Sequence, residues 1–403
     1  MLGSLYMKDS DCCGCGACRN ICPCRAIEMK PDECGFLYPF IDGEKCVECG
    51  LCKKVCGYQK EVQIPEIKET YAAVAENEIL LKGSASGGVF AAVATEVLKR
   101  GGVVFGCSME QENGKLVPKH IMIDKLKDLS KLQGSKYVQS FMGDCFIKAK
   151  EELAKERLVL FSGTPCQIDG LKGYLRGKTY DNLLTVDLIC HGVPSSKMFQ
   201  DYISDLCVKL GGQVIGFEFR DKTAGWGLNG KITYVKENKI ISKSLPCSDS
   251  SYYSLFLESA IYRESCYSCK YANENRVGDF TIGDFWGIER EHPEYLKNMN
   301  IQKGISCMIV NTNHGRIMLK ELCPGIKLLS SQYEKAARGN AQLNRPSVKS
   351  KKRSMILDLY KTGGYEAIEK WYKKSRGIKY CTDKMKRLIP QKWKMRIKKI
   401  LKV

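Results

Sequence analysis

Arg157-Leu-Val-Leu-Phe-Ser-Gly163-Thr-Pro-Cys-Gln167 and Leu183-Leu-Thr-Val-Asp-Leu-Ile189-Cys-His-Gly192 carry the reading of the fold. Each opens with consecutive apolar residues and stops at a small or polar turn. An unbroken apolar run bounded in this way predicts a strand covered on both faces, and a helical step joins the two. Upstream, Tyr71-Ala-Ala-Val-Ala and Gly102-Val-Val-Phe-Gly read as strands, while 88–100 and 144–155 have helical spacing. Downstream, a helix is predicted over 197–210. The period then changes to two over 211–241, which predicts successive strands separated by glycine-rich turns. A further helix covers 253–261. The body is therefore expected to be mixed, α+β or α/β, and no repeat period of a solenoid is present.

The composition changes sharply at the N-terminal end. Of 403 residues 22 are cysteine, and eleven of these fall before residue 60. Aliphatic residues are sparse there, so bound metal must replace much of the missing core. Cys12, Cys15, Cys18 and Cys22-Pro have the spacing C-x2-C-x2-C-x3-C-P, and Cys46, Cys49, Cys52 and Cys56-Gly repeat it. Three close thiolates can wrap three corners of a cubane, whereas the fourth reaches a second cubane in the two-cluster pattern. Cys12, Cys15, Cys18 and Cys56 are assigned to one [4Fe-4S] cluster, and Cys46, Cys49, Cys52 and Cys22 to the other. Cys13, Cys24 and Cys34 fall outside this register and read as spare thiols. Paired zinc knuckles would space their cysteines differently. Residues 1–60 thus resemble a bacterial-type two-cluster ferredoxin domain, joined by a linker over 61–70.

Within the body, small and polar residues interrupt apolar elements at three places. Lys82, Ser84, Ser86, Gly87 and Gly88 form a glycine-serine loop opening a helix, where free N–H groups suit a phosphate. Gly134, Ser135, Lys136 and Tyr137 add a cation and a ring, and Thr164 and Gln167 follow a buried strand at the edge where α/β sheets place ligands. Cys166 and Cys190 each lie just beyond a buried strand, and Cys266 and Cys269 form a C-x2-C pair. Together they offer four soft ligands for a third [4Fe-4S] cluster, with Cys247 as the substitute. An isolated buried cysteine is otherwise a small core residue. His191 and Lys136 are the candidate catalytic groups, for proton relay or cofactor contact.

Ser-Gly-Thr-Pro-Cys-Gln, Asp187-Leu-Ile-Cys-His-Gly-Val-Pro194-Ser, the Cys-x-x-Cys pair and Gly278-Asp-Phe-Thr-Ile-Gly-Asp284-Phe-Trp-Gly287 occur in that order. In this combination, from about 70 to 340, the body resembles the beta subunit of the coenzyme F420 (8-hydroxy-5-deazaflavin) reducing hydrogenases and dehydrogenases. The resemblance implies an FAD-binding core that exchanges hydride with the deazaflavin or another organic acceptor, beside clusters that pass single electrons. It places the loop 84–88 at the family's Ser-x-Gly-Gly position, and Cys166, Cys190, Cys266 and Cys269 at characteristic cysteines. The body is divided as 71–175 and 176–344. The expected protein is a flavin and iron-sulfur oxidoreductase; the alternative is a non-catalytic electron-transfer subunit of a larger redox complex.

Charge is concentrated at the other end. From Arg345 onward lie 20 of the 64 Lys and Arg but only 4 of the 45 Asp and Glu. Residues 345–403 read as a basic helical tail whose last stretch places Trp393, Ile397, Ile400 and Leu401 on one face. Three roles fit it: a peripheral contact with an anionic inner-membrane face, a grip on an acidic ferredoxin or partner redox subunit, or a cap on the body. No reading motif accompanies the charge, so nucleic acid is not an expected partner. Without a secretory pattern or a long apolar span, a cytoplasmic location is expected.

Overall fold

The computed structural model describes residues 5–62, 66–223 and 225–388, with side chains up to residue 377. At its N-terminal end, β1 (Ile27–Pro31) and β2 (Leu37–Ile41) form an antiparallel pair with Ile27 opposite Ile41. Two short helices, Ala17–Ile21 and Leu51–Lys54, each begin at a left-handed glycine, Gly16 and Gly50, inside the two cysteine runs.

The body is organised by one eight-stranded sheet. Its strands in chain order are β3 (Glu69–Ala75), β4 (Val103–Glu112), β5 (Lys115–Ile123), β6 (Val159–Gly163) and β7 (Leu183–Leu188). A separate antiparallel sheet of β8 (Gln213–Glu218), β9 (Asn229–Lys236) and β10 (Lys239–Pro246) intervenes. The chain then returns to the large sheet as β11 (Phe280–Asp284), β12 (Ser306–Val310) and β13 (Ile326–Ser331). The spatial order is β13-β3-β12-β11-β7-β6-β4-β5. The central four, β11, β7, β6 and β4, run parallel, and every flanking pair is antiparallel. The two body segments divided at residue 175 thus contribute to one sheet.

The apolar runs have the cause inferred from them. Leu160, Leu184 and Val186 pack on one face with Val93 and Val97 of the helix Val89–Lys99. Val159, Phe161 and Leu183 point the other way, toward Phe146 and Ile168 of the helices Cys145–Ala154 and Pro165–Tyr174. Helices on both faces leave no solvent side, so polar alternation is lost. A buried ion pair pins the middle of the sheet: Arg276 Nη2 donates to Asp187 Oδ1 at 2.7 Å, and Asp187 Oδ2 accepts from the amides of Val277 and Gly278.

The start of the expected tail packs on the body. The helical segment Arg353–Leu388, broken at Gly363, Gly364 and Gly377, buries Ile356, Tyr360, Tyr365 and Ile368 beside Phe199, Tyr202 and Tyr252. Its basic lead-in is neutralised against the body, Lys352 by Glu258 at 2.7 Å and Arg353 by Glu264 at 2.9 Å. The face of Trp393, Ile397, Ile400 and Leu401 lies outside the described residues. Among those described, no helix is long and apolar enough to cross a membrane.

Candidate functional site

At the C-terminal edge of the parallel strands, the residues that end β6, β7 and β11 face a common space. That space is a cavity of about 390 Å³, in the position where open α/β sheets bind ligands. Ser84, Ser86, Gly88, Gly134, Ser135, Lys136, Tyr137, Thr164, Gln167 and His191 all line it, as do Cys166 and Cys190. The sequence-predicted set therefore converges from separate segments of the chain, with two exceptions.

Lys82 and Gly87 do not line the cavity. Gly87 is pressed on the sheet: its amide donates to Ser306 Oγ, and a Cβ there would come within 2.2 Å of the Ala73 carbonyl oxygen. Glycine is required for that close approach, so its N–H is not free for a phosphate. The serine hydroxyls are also committed, Ser84 donating to the Leu80 carbonyl and Ser86 to that of Ile305. The anion-compatible feature is one residue further on. Gly88, at φ +81°, starts the helix Val89–Lys99 with no side-chain cap, and that helix start opens on the cavity.

The polar groups of the cavity are held firmly. Thr164 caps the helix Pro165–Tyr174 in a reciprocal box with Gln167, which fixes Cys166 on its first turn; Thr164 Oγ1 lies 3.1 Å from Cys166 Sγ. Lys136 Nζ donates to the carbonyls of Gln133 (2.7 Å) and Lys131 (3.1 Å), and burial pushes its pKa down to about 8. Desolvation likewise lowers His191, with Asp284 opposing and Arg220 reinforcing the shift.

The sequence reading misses Arg220, Asp284 and His120. Arg220 forms a two-pronged pair with Asp284, Nη1 to Oδ2 at 2.6 Å and Nη2 to Oδ1 at 3.2 Å, and Nη1 also donates to the Tyr137 hydroxyl. Asp284 accepts a further bond from Trp226 Nε1. His120 Nε2 donates to the Ser162 carbonyl, so its Nδ1 accepts from Ser140 Oγ at 2.7 Å, and Ser140 in turn accepts from Gln167. Asp284 lies in the quoted phrase 278–287, a signal that was available; Arg220 and His120 carry none.

The cysteines assigned to clusters from the sequence lie near one another at three places. Cys18 is raised by burial and then by the neighbouring thiols Cys15, Cys12 and Cys56. Cys22, Cys46, Cys49 and Cys52 line a second cavity of about 310 Å³ together with Cys24, with Cys49 exposed. Cys190 is raised by burial and by Cys266, Cys166 and Cys269. Cys247 packs instead beside the β8–β10 core. Among the described residues every cysteine is free of disulfides, and no three His, Cys, Asp or Glu groups converge on a single ion. Desolvated thiols that repel one another as thiolates are a donor set suited to a soft, cationic core spread over several atoms. Cys13, read as a spare thiol, is buried, and the neighbouring thiols Cys15 and Cys166 raise it together with desolvation.

The fold is a mixed α/β one with cysteines at the ends of its central strands, and similarity to known proteins gives the family. Sequence models of the coenzyme F420 hydrogenase/dehydrogenase beta subunit match residues 70–145 with the N-terminal part and 156–335 with the C-terminal part. The chain belongs to this family. One component of the F(420)H(2) dehydrogenase of Methanosarcina mazei is 19% identical over 82% of this chain and 90% of its own length. The uncharacterized protein MJ1349 of Methanocaldococcus jannaschii is 27% identical over 40% of this chain and 51% of its own. The polyferredoxin-like protein MJ1302 of the same organism is 42% identical over 53 residues, 11% of this chain and 32% of its own. A chain of the F420-reducing [NiFe] hydrogenase complex of Methanosarcina barkeri aligns at 14% identity with a TM-score of 0.43, covering 75% of this chain and 94% of that one.

Proposed function

We propose that this chain is a flavin and iron-sulfur oxidoreductase that links one-electron transfer to hydride exchange with F420 or a related organic acceptor. What supports the reading is that Cys22, Cys46, Cys49 and Cys52 line one cavity, that Cys12, Cys15 and Cys56 neighbour Cys18, that Cys166, Cys266 and Cys269 neighbour Cys190, and that Cys166 and Cys190 line the other cavity. The first two groups would hold the two clusters of a ferredoxin-like module and the third a body cluster. FAD would occupy the cavity with its phosphates toward the Gly88 helix start. Bound there, a flavin supplies two-electron hydride exchange and each cubane carries single electrons. The chain's own groups set the conditions. Arg220, locked by Asp284, fixes a permanent cation at the wall, while Lys136, lowered by burial to about 8, can hold or release a proton near neutral pH, and burial favours the neutral ring of His191. A partner redox subunit or an acidic ferredoxin would meet the exposed Cys49 side.

The test uses the full chain purified anaerobically. It is expected to release FAD on denaturation, to hold about four iron for each group of four cysteines, and to reduce F420 from a low-potential donor. Full iron content with no flavin and no F420 turnover would leave only an electron-transfer subunit and overturn the enzyme reading.

A further inference from the structure

The cysteine run at the N-terminus meets the second half of the body around one side chain to which no role has yet been given. Arg263 is completely buried, with 0% of its surface exposed. Its Nε donates to the Cys12 carbonyl at 2.8 Å, its Nη1 reaches Gln139 Oε1 at 3.4 Å, and its guanidinium lies 4.0 Å from the centre of the Tyr38 ring. Nη2 is buried and has no hydrogen-bond partner. The turn after Cys12 closes directly on this group: a Cβ on Gly14 would meet Nη1 at 3.0 Å and Cζ at 3.1 Å.

An arginine cannot shed its proton, and a desolvated cation without a counter-charge is strongly disfavoured. No carboxylate pairs with Arg263 among the described residues. The groups whose charge weighs most on it are Cys12 first, then Tyr38, Cys13 and Cys266, and at longer range it opposes the burial that raises the Asp32 carboxyl, without pairing with it. The orphan N–H and the missing anion are therefore in the same place, beside thiols that need a cationic core to ionise. A cubane held by four thiolates answers both, because its sulfurs accept hydrogen bonds and its net charge with those ligands is negative.

We propose that Arg263 is a positioning residue for the cluster of Cys12, Cys15, Cys18 and Cys56, donating its Nη2–H to a cluster sulfur and setting the cluster's potential. The proposal rests on the iron-sulfur reading above. Reduction adds one electron and no proton, so the cluster becomes one unit more negative. A fixed cation within the same low-dielectric pocket stabilises that product more than the oxidised form, and raises the potential. Because Cys166 and Cys266 also feel the same guanidinium, the charge sits at the boundary between this cluster and the one in the body.

The experiment is an EPR-monitored redox titration of the full, cluster-loaded chain. Arg263→Gln is expected to lower the equilibrium constant for one-electron reduction of one cluster at least tenfold, which is about 59 mV, with Arg263→Lys recovering most of it. In the unaltered protein, arginine labelled with ¹⁵N in the guanidino group is expected to give a nitrogen coupling on the reduced cluster. Full iron content with an unchanged potential in Arg263→Gln would overturn the proposal. If that variant does not fold, absence of the nitrogen coupling in the unaltered protein overturns it equally. Absence of any reduced [4Fe-4S] signal would instead sink the iron-sulfur reading itself, so the two failures are distinct.

Discussion

The N-terminal module and the sheet body are held together by different means. Across residues 5–60 the large buried side chains are few, and most of them face outward from the module. Phe36 and Tyr38 complete the core around Phe199 and Tyr252, while Ala17 and Val55 complete the one around Phe146 and Phe161. The module has little interior of its own beyond its cysteines. The body, in contrast, encloses apolar layers on both faces of an eight-stranded sheet. In one region chemistry would hold the fold, and in the other the fold holds the chemistry.

The strongest way to break this comparison is to remove iron from the loaded chain with a chelator under reducing conditions. Residues 5–60 are expected to lose amide-exchange protection entirely, since they cannot bury enough apolar surface alone. The β4, β6 and β7 amides should stay protected. A module that kept its protection without iron would show that docking on the body is sufficient, and the contrast would collapse.

The same difference decides what could be read from the amino-acid sequence. Ligand spacing such as Cys12, Cys15 and Cys18 is local, so one short run of the chain displays it whole. Strands β6 and β7 were equally legible, because burial on both faces makes their apolar runs continuous. Strand β5 was not: Pro118, Lys119 and His120 interrupt the apolar run of a strand whose partner is β4. Arg220 and Arg263 acquire their meaning only from partners 64 and 251 positions away. Gly87 shows the opposite error, since a glycine needed for close packing on Ala73 and one needed for a phosphate look alike in a Ser-Gly loop.

Within the body, the next largest effect belongs to the buried pair of Asp187 and Arg276, which are 0% and 2% exposed. Asp187→Leu strands a buried guanidinium and leaves two amides unpaired, at a cost of about 3–5 kcal/mol. The urea midpoint of the body should fall accordingly, while the iron content of the N-terminal groups stays unchanged. An equal loss in both regions would mean that they unfold as one unit.

Acid should separate the regions by about as much. His120 is buried as the neutral ring, donating from Nε2 and accepting at Nδ1, and desolvation lowers its pKa to about 4. Between pH 6.5 and about 4 the unfolded chain takes up a proton that the folded one refuses. Stability is thus fully present above 6.5 and falls as pH drops through that window. A shift of this size is worth roughly 3 kcal/mol. Denaturant midpoints measured across that range should slope in the unaltered protein and flatten in His120→Gln; parallel slopes would show that another group is responsible.

The smallest effect tests where the body ends. Tyr365 is buried, and its hydroxyl lies 2.8 Å from Ser251 Oγ, which donates to Glu369 Oε2 at 2.5 Å. Glu369 is also paired with Lys209 at 2.7 Å. Tyr365→Phe keeps the ring in its layer against Tyr202 and removes one hydrogen bond, while Ser251 retains Glu369 as a partner. The expected loss is therefore about 1 kcal/mol, the net worth of a single buried bond rather than the penalty of an orphaned group. If the segment from Arg353 belongs to the body, this loss appears in the same cooperative transition as that of Asp187→Leu. If it appears in a separate transition at lower denaturant, or not at all, the segment is an appendage and the basic charge is free to act elsewhere.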